Sequence, residues 1–282
     1  MTTLRYKIFE FILKRSGAGE TMTKALTRGH IRSQPVPKKL TSRWEKSDFQ
    51  GRNIWTCRPA GQQSDRVYVH QHGGGYVVGL LPLQFETMTK LADMAGVTII
   101  MPDYPLPPDS TATEIIDWAT AHYASVVAEH GAETVGLGGD SAGGNLALAI
   151  GQKMPVAKPL LLLSPWVDLV PADMPDDMAH DEILLDPVTI KAAGRQFAGE
   201  LQADTPLISP IFADPKDLPE VMIFTGEKDL LHPQIMKFAE AMKPAGKLRK
   251  LATYGEFGHY WMFYPTPDRD STLVEMAAII ST

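Results

Sequence analysis

The stretch that decides the fold lies near the middle of the chain and reads TVGLGGDSAGGNLALAIGQK, residues 134–153. Its start predicts a buried strand and residues 145–153 predict a helix. Between them, residues 139–143 form a G-x-S-x-G pattern around Ser141, the tight strand-to-helix turn typical of a nucleophilic serine. Positions two before and two after the serine must be nearly free of side chain, which Gly139 and Gly143 satisfy.

Two other interpretations of this stretch are open to the sequence. It could be a plain glycine-rich turn without a reacting serine, since G-x-S-x-G also arises by chance. A dinucleotide site is disfavoured because Gly136 and Gly138 begin a G-x-G-x-x-G pattern but Ser141 stands where its third glycine belongs. The sequence also contains no G-x-x-x-x-G-K-[ST] phosphate-binding loop.

A second glycine-rich segment, HGGGY at residues 72–76, directly follows a predicted strand. Acyl transfer creates an oxyanion that needs backbone N–H donors, and consecutive glycines such as Gly73 and its neighbours let the chain turn them inward. The expected donors are Gly74 and Gly75, joined by Ala142 just after the serine. Asp140 and His72 are expected to support these two motifs.

His72 also forms an H-x-H pair with His70, whose side chains would share one face of a strand. No third ligand stands at convincing spacing, so we expect no metal site and assign His72 to bracing the glycine loop by hydrogen bonds.

A serine hydroxyl needs a base, and the base needs an orienting carboxylate. With this type of turn the acid and then the histidine follow the serine along the chain. Asp229 follows a buried strand and is the favoured acid, with Glu227 as the alternative. His259 follows the last predicted strand and is the favoured base.

Two other histidines follow the serine and are weaker candidates. His180 lies in an irregular segment, and His232 stands only three residues beyond Asp229, where a helix is expected to begin.

Strands and helices alternate from residue 53 onward, which indicates an α/β fold with a mostly parallel sheet covered on both faces. The predicted strands are 53–57, 66–71, 97–101, 134–137, 159–163, 221–225 and 250–254. The predicted helices are 85–95, 113–130, 145–153, 233–242 and 273–280. Residues 1–48 form a polar, basic, helical segment, and residues 49–282 the main domain, in which the irregular 166–206 is an insertion over the sheet.

Composition and charge narrow the function classes. The 282 residues, 44% of them hydrophobic, suit one sizeable domain. The net charge of −6 disfavours nucleic acid as a partner. Basic residues concentrate from Lys7 to Arg52 and are interpreted as a solvated helical face, with a membrane or nucleic-acid patch as the alternative. Cys57, the single cysteine, permits no internal disulfide and is expected to be a structural residue at a strand end.

No secretory signal or membrane span is expected. Residues 4–13 are partly apolar, but Lys7 and Glu10 interrupt them, which favours an amphipathic helix. No apolar run approaches the roughly 18 residues that span a bilayer. The expectation is a cytoplasmic protein without stable membrane insertion.

Together these motifs resemble the hormone-sensitive-lipase-like branch of the α/β-hydrolases, over about residues 68–264. The likeness rests on the segments HGGG at 72–75, GDSAGGN at 139–145 and SPIFAD at 209–214, with Asp229 and His259. The resemblance implies an eight-stranded sheet with a helical cap from the N-terminal segment. It also implies hydrolysis of short-acyl, small-molecule esters without a cofactor.

The sequence departs from that family in one segment and is unusual in another. Where the family has Tyr-Arg-Leu-Ala-Pro-Glu, residues 103–108 read DYPLPP, which leaves the catalytic residues untouched but is expected to alter cap packing. Residues 260–264 read YWMFY and are interpreted as core and pocket wall rather than as a dedicated substrate cage.

The predicted function is therefore a carboxylesterase, with Ser141, His259 and Asp229 acting through an acyl-enzyme. An amide-cleaving relative such as an arylformamidase, or a non-catalytic receptor on the same fold, are the alternatives. The last strand and the closing helix are a candidate homodimer edge.

Overall fold

The structure, a computed structural model, describes residues 4–174, 176 and 182–282. Its strands are β1 (Trp44–Phe49), β2 (Arg52–Cys57), β3 (Val67–Gln71), β4 (Thr98–Pro102), β5 (Val135–Asp140), β6 (Leu160–Leu163), β7 (Val221–Gly226) and β8 (Leu248–Tyr254). Its helices are α1 (Leu4–Ser16), α2 (Thr21–Arg28), α3 (Pro82–Ala95), α4 (Ala112–His130), α5 (Ala142–Lys153), α6 (Pro187–Ala198), α7 (His232–Met242) and α8 (Pro267–Ile280).

The eight strands form one sheet in the order β1-β2-β4-β3-β5-β6-β7-β8. Strands β3 to β8 run parallel, whereas β1 and β2 pair antiparallel at one edge. The predicted mostly parallel sheet of eight strands is confirmed. Because parallel strands end at the same edge, the segments after β3, β5, β7 and β8 meet on one side of the molecule.

The sheet separates two hydrophobic cores. Successive residues of a strand point to opposite faces, so Leu160 and Leu162 enter one core while Leu161 and Leu163 enter the other. Helices α4, α5 and α7 cover the first face, and α3 and α8 cover the second. Cys57 is buried in the second core at the end of β2, as predicted for a structural thiol.

One strand was missed by pattern analysis. Strand β1 begins at Trp44, so the expected boundary between residues 48 and 49 falls inside it, and the preceding segment is not helical throughout. Trp44 is its only fully buried residue and the rest are mainly exposed and polar. Such an edge strand is specified by pairing with β2 and carries no apolar alternation of its own.

The segment 166–206 is more regular than expected, because it contains helix α6. Asp186 caps this helix by accepting hydrogen bonds from the N–H groups of Val188 and Thr189, and Pro187 occupies its first turn. The candidate His180 lies outside the described residues.

The N-terminal helices pack onto the same body as the sheet. Tyr6 of α1 is buried in the second core, and Met22 and Ala25 of α2 are buried in the first. Within the described residues, no helix has both the length and the apolar character needed to cross a bilayer.

Candidate active site

Ser141 stands on the turn between β5 and α5, as the pattern predicted. Its φ of 53° is in the left-handed region, and its N–H donates to the carbonyl of Leu163 at 2.9 Å. This conformation is uncommon for a non-glycine residue and is held by the neighbouring strand β6. The turn therefore aims the hydroxyl away from the sheet and toward the edge where the other loops meet.

The glycines around the turn are required by close backbone contacts. A Cβ on Gly139 would lie 2.5 Å from the carbonyl oxygen of Gln71, and one on Gly143 would lie 2.4 Å from that carbonyl's carbon. A Cβ on Gly73 would meet the carbonyl oxygen of Asp140 at 2.9 Å. The turn presses directly against the segment after β3, which is the physical reason for side-chain-free residues at these positions.

Three predicted site residues form one hydrogen-bonded chain. Nε2 of His259 lies 2.9 Å from Oγ of Ser141, and Nδ1 lies 2.9 Å from both carboxylate oxygens of Asp229. All three residues are at most 3% exposed. Asp229 follows β7 and His259 follows β8, so the sheet edge brings together residues that are far apart in sequence.

The structure distinguishes the predicted acid from its alternative. Asp229 is buried and also accepts the N–H of Leu231 at 2.9 Å, whereas Glu227 is exposed. His232 begins α7, and its Nδ1 lies 3.3 Å from the hydroxyl of Thr225. Of these candidate acids and histidines, only Asp229 and His259 contact each other.

Burial by itself would lower the pKa of His259, but the charge and hydrogen bond of Asp229 outweigh it. Glu182 and Asp140 add further negative charge. The pKa of His259 is therefore raised above its ordinary value, as expected for an imidazole flanked by carboxylates.

Glu182 is a site residue that pattern analysis missed. One carboxylate oxygen accepts the backbone N–H of His259 at 2.6 Å, and the other accepts the N–H groups of Ile183 and Leu184 at 2.7 and 2.9 Å. Burial, with the nearby charge of Asp229, raises the pKa of Glu182. No sequence motif marks this residue, because its partner lies 77 positions away.

Two of the three predicted oxyanion donors line one cavity with Ser141, and the third, Ala142, follows Ser141 in the chain. Gly74 and Gly75 line a cavity together with Ser141, and both have positive φ, 126° and 61°. Ala142 is the first residue of α5, where helix N–H groups lack intrahelical acceptors. Among the hydrogen bonds between described residues, none uses the N–H of these three residues.

The glycine loop is braced by the side chains beneath it. His72 donates from Nδ1 to the carbonyl of Gly73 at 2.7 Å and stacks on Tyr104 at 4.1 Å between ring centroids. The hydroxyl of Tyr104 donates to the carbonyl of His72 at 2.5 Å. These contacts are the hydrogen bonds expected if His72 braces the loop.

His70 and His72, the H-x-H pair that could have bound a metal, each make a hydrogen bond within the protein instead. Nε2 of His70 lies 2.8 Å from Oδ1 of Asp140, while His72 bonds within its own loop. Within residues 4–174, 176 and 182–282, no group of three or more His, Cys, Asp or Glu side chains is placed to hold a metal ion.

Asn145 and Tyr76 tie the loop, the helix and the insertion together. The hydroxyl of Tyr76 donates to Oδ1 of Asn145 at 2.7 Å, and Nδ2 of Asn145 donates to the carbonyls of Trp166 and Ile208. The ring of Tyr76 stacks on Phe197 of α6. Both residues lie within the quoted motifs, yet their pairing depends on the assembled fold.

Residues 103–108, which depart from the family pattern, connect the N-terminal segment to the sheet. Asp103 accepts the hydroxyl of Ser33 at 2.5 Å, and Arg52 donates to the carbonyls of Asp103 and Tyr104. That the departure alters cap packing relative to the family stays a prediction.

Ser141 opens into a mostly apolar cavity of about 190 Å³. It is lined by parts of the N-terminal helices, the glycine loop, the insertion and the segment after β8. The lining residues are Leu13, Thr21, Met22, Gly74, Gly75, Val78, Leu81, Leu83, Ser141, Leu184, Leu185, His259, Tyr260 and Tyr264. Residues 261–264 are buried, so the aromatic segment forms core and pocket wall, as predicted.

Comparison with known proteins agrees with this geometry. Residues 68–263 match a family model described as the alpha/beta hydrolase fold. The chain is 30% identical to an acetyl-hydrolase of Streptomyces hygroscopicus (73% of this chain, 71% of that protein) and 27% identical to an esterase of Acinetobacter venetianus (77% and 75%).

Among solved structures, a hormone-sensitive lipase from a metagenome library superposes with a TM-score of 0.83 and 25% identity over 99% of both chains. The chain belongs to the α/β-hydrolase family, on its hormone-sensitive-lipase-like branch.

Proposed function

We propose that this protein is a carboxylesterase that cleaves short-acyl esters through an acyl-enzyme on Ser141. The relatives named esterase and acetyl-hydrolase place the chain among the carboxylic ester hydrolases. The observation that carries the finer proposal is the hydrogen-bonded chain from Ser141 through His259 to Asp229, which has its Ser141 end at a mostly apolar cavity.

In the first half-reaction, Oγ of Ser141 attacks the ester carbonyl while Nε2 of His259 takes the hydroxyl proton. Asp229 holds the ring orientation and stabilises the imidazolium that forms. The N–H groups of Gly74, Gly75 and Ala142 stabilise the oxyanion, and one such donor is worth about 3 kcal/mol in comparable sites. His259 then protonates the alcohol, which leaves.

In the second half-reaction, His259 takes a proton from water, which attacks the acyl-enzyme. Collapse of the second tetrahedral intermediate returns the proton to Ser141 and releases the carboxylic acid. The same donors stabilise both oxyanions, so no further group is needed to balance either step.

The cavity size supports a short acyl group. Its volume of about 190 Å³ is below the ~300–1,000 Å³ of pockets that hold drug-sized ligands. Among the described residues, the lining offers leucine, methionine and tyrosine side chains and no charged residue besides His259 when protonated, which favours neutral, apolar substrates.

Hydrolysis of a p-nitrophenyl ester series from acetate to laurate tests the proposal. Turnover should peak at short chains and fall by at least about 10⁴-fold in Ser141→Ala. Ser164→Ala is the matched control because Ser164, also buried, follows the neighbouring strand β6 and bonds to neither His259 nor Asp229.

Matched anilides and formamides separate the alternatives. Faster turnover of the amides would replace the esterase proposal with an amidase. Folded wild-type protein that turns over neither series and resists a fluorophosphonate label would contradict both and favour a receptor.

A further inference from the structure

Helix α1 carries an exposed apolar stripe on the side that faces away from the protein. Leu4, Ile8, Phe11 and Ile12 are 51–74% exposed. At 3.6 residues per turn these four side chains fall within an arc of about 100°. The other large exposed apolar residues in the described ranges, Met94, Val188, Phe212 and Val274, lie in separate elements, so the stripe is the main apolar patch contributed by a single helix.

Cations border this stripe. By the same helical geometry, Arg5 lies beside one edge of the stripe and Lys7 and Lys14 lie beside the other. Arg15 continues the stripe at its C-terminal end, with its guanidinium 4.3 Å from the ring centroid of Phe11. All four basic side chains are exposed. The single acid of the helix, Glu10, lies outside the stripe and is half-buried.

The opposite face of α1 is anchored at the active site. The ring of Tyr6 meets Phe257 at 4.7 Å between centroids, and its hydroxyl oxygen accepts the N–H of Gly258, next to His259. Leu13 lines the cavity at Ser141. The stripe is therefore held on the outer face of a helix whose inner face contacts the catalytic loop and lines the cavity at Ser141.

The charge distribution of the chain supports an anionic partner for this helix. Residues 1–52 contain twelve Lys and Arg against four Asp and Glu, a net charge of +8, although the whole chain carries −6. A helix with apolar side chains between rows of Lys and Arg is the pattern that lies in the interface of an anionic bilayer.

We propose that α1 docks the enzyme on anionic lipid surfaces, with Leu4, Ile8, Phe11 and Ile12 entering the headgroup boundary and the flanking cations contacting lipid phosphates and carboxylates. The helix lies in the surface and does not cross it. Docking would bring the cavity at Ser141 close to the lipid, so apolar esters dissolved in the membrane reach the site without passing through water. This goes beyond the proposed ester hydrolysis, and the docking itself does not depend on it.

Flotation with vesicles tests the docking without measuring activity. Wild-type protein should float with vesicles of phosphatidylcholine containing about 30% phosphatidylserine and far less with phosphatidylcholine alone. Raising NaCl from about 0.1 to about 0.5 M should release it, because salt screens the charges.

Variants of the stripe and of its charges identify the helix. Ile8→Ser/Phe11→Ser should weaken vesicle association at least about tenfold, whereas Val274→Ser, equally exposed on α8, should not. Lys7→Glu/Lys14→Glu should remove the preference for phosphatidylserine, and Lys216→Glu/Lys243→Glu, with the same change in net charge, should keep it. Turnover of a soluble short ester should remain unchanged in all four.

Three results would overturn the proposal. Wild-type protein that does not float, or Ile8→Ser/Phe11→Ser protein that floats equally well, would show that the stripe does not bind lipid. Dimers in analytical ultracentrifugation that disappear in the same variant, without vesicle binding, would assign the stripe to a second copy of the chain. Vesicle binding by a protein inactive on esters would contradict only the proposed reaction.

Discussion

At the residue scale, two carboxylates two positions apart have different environments. Asp229 is buried against His259, and Glu227 is exposed to solvent. Asp229→Asn should lower kcat by about 10⁴-fold, because the amide favours the wrong tautomer of the histidine. Glu227→Gln is the matched control and should change kcat less than twofold, as roughly expected for an exposed charge. Steady-state kinetics on one short ester measure kcat for both variants. A large loss of kcat in Glu227→Gln would assign the acid to Glu227 instead of Asp229.

His259 acts as a base only when neutral, and its pKa is raised by Asp229 with Glu182 and Asp140. A raised pKa keeps the ring protonated to higher pH in the free enzyme. We therefore expect kcat/KM to fall on acidification with a midpoint above the ordinary histidine value of about 6.5. A pH–rate profile from about pH 5 to 9 measures this midpoint, and a value clearly below 6.5 would contradict the assignment.

Glu182→Gln separates the charge of Glu182 from its hydrogen bond to His259. The glutamine oxygen can still accept the N–H of His259, although its NH2 group then faces the N–H groups of Ile183 and Leu184. The negative charge is lost, so the acidic midpoint of kcat/KM should move to lower pH. Other charged or ionisable groups interacting with this carboxylate are Asp229, His259, Tyr6 and Tyr264, and the variant leaves them unchanged. A reduced kcat with an unshifted midpoint would mean that Glu182 only supports the loop.

At the element scale, the turn between β5 and α5 depends on how closely it packs against the segment after β3. Gly143→Ala would place a methyl group against the carbonyls of Gln71 and His72 and should cost about 1–3 kcal/mol in the free energy of unfolding. Gly61→Ala, at an exposed glycine with open space around it, should change that energy by less than about 0.5 kcal/mol. Urea unfolding of both variants tests this, and equal stability would contradict the packing described for the turn.

Also at this scale, an element could be predicted from the sequence when its own residues carry a clear apolar pattern. The apolar patterns of helix α5 and strands β5 to β7 indicate a helix and strands, and these elements were predicted correctly. Strand β1 has one fully buried residue and gains its conformation from β2. Helix α6 did carry a local signal, the Asp186–Pro187 cap, which the irregular composition around it obscured.

At the scale of the whole molecule, the N-terminal helix and the catalytic loop share one core. The phenol oxygen of buried Tyr6 accepts the N–H of Gly258 at 3.1 Å. Tyr6→Phe leaves this N–H without that acceptor, which should cost about 1–3 kcal/mol in the free energy of unfolding. Because helix and loop belong to one cooperative unit, the urea midpoints for tryptophan fluorescence and for loss of activity should fall together.

Tyr123→Phe provides the comparison, since Tyr123 is buried on α4 in the core on the other face of the sheet. It should leave the kinetic constants unchanged. If activity in Tyr6→Phe disappears well before the fluorescence changes, the N-terminal helix melts separately and the shared core is not cooperative.

The sequence by itself determined the alternation of strands and helices, the turn at Ser141 and the glycine loop at residues 73–75. These features depend on backbone sterics and on the period of apolar residues, which neighbouring positions in the chain encode. The order of serine, acid and histidine also followed from the chain alone.

Only the tertiary structure decided which carboxylate meets His259, that Glu182 holds its backbone, and that α1 exposes an apolar stripe while anchoring Tyr6 beside the site. The first two are contacts between segments that are distant in sequence. The exposed stripe is a face of α1 that no other described segment packs against. Their positions depend on how sheet, insertion and N-terminal helices pack together, and no local pattern of residues encodes that arrangement.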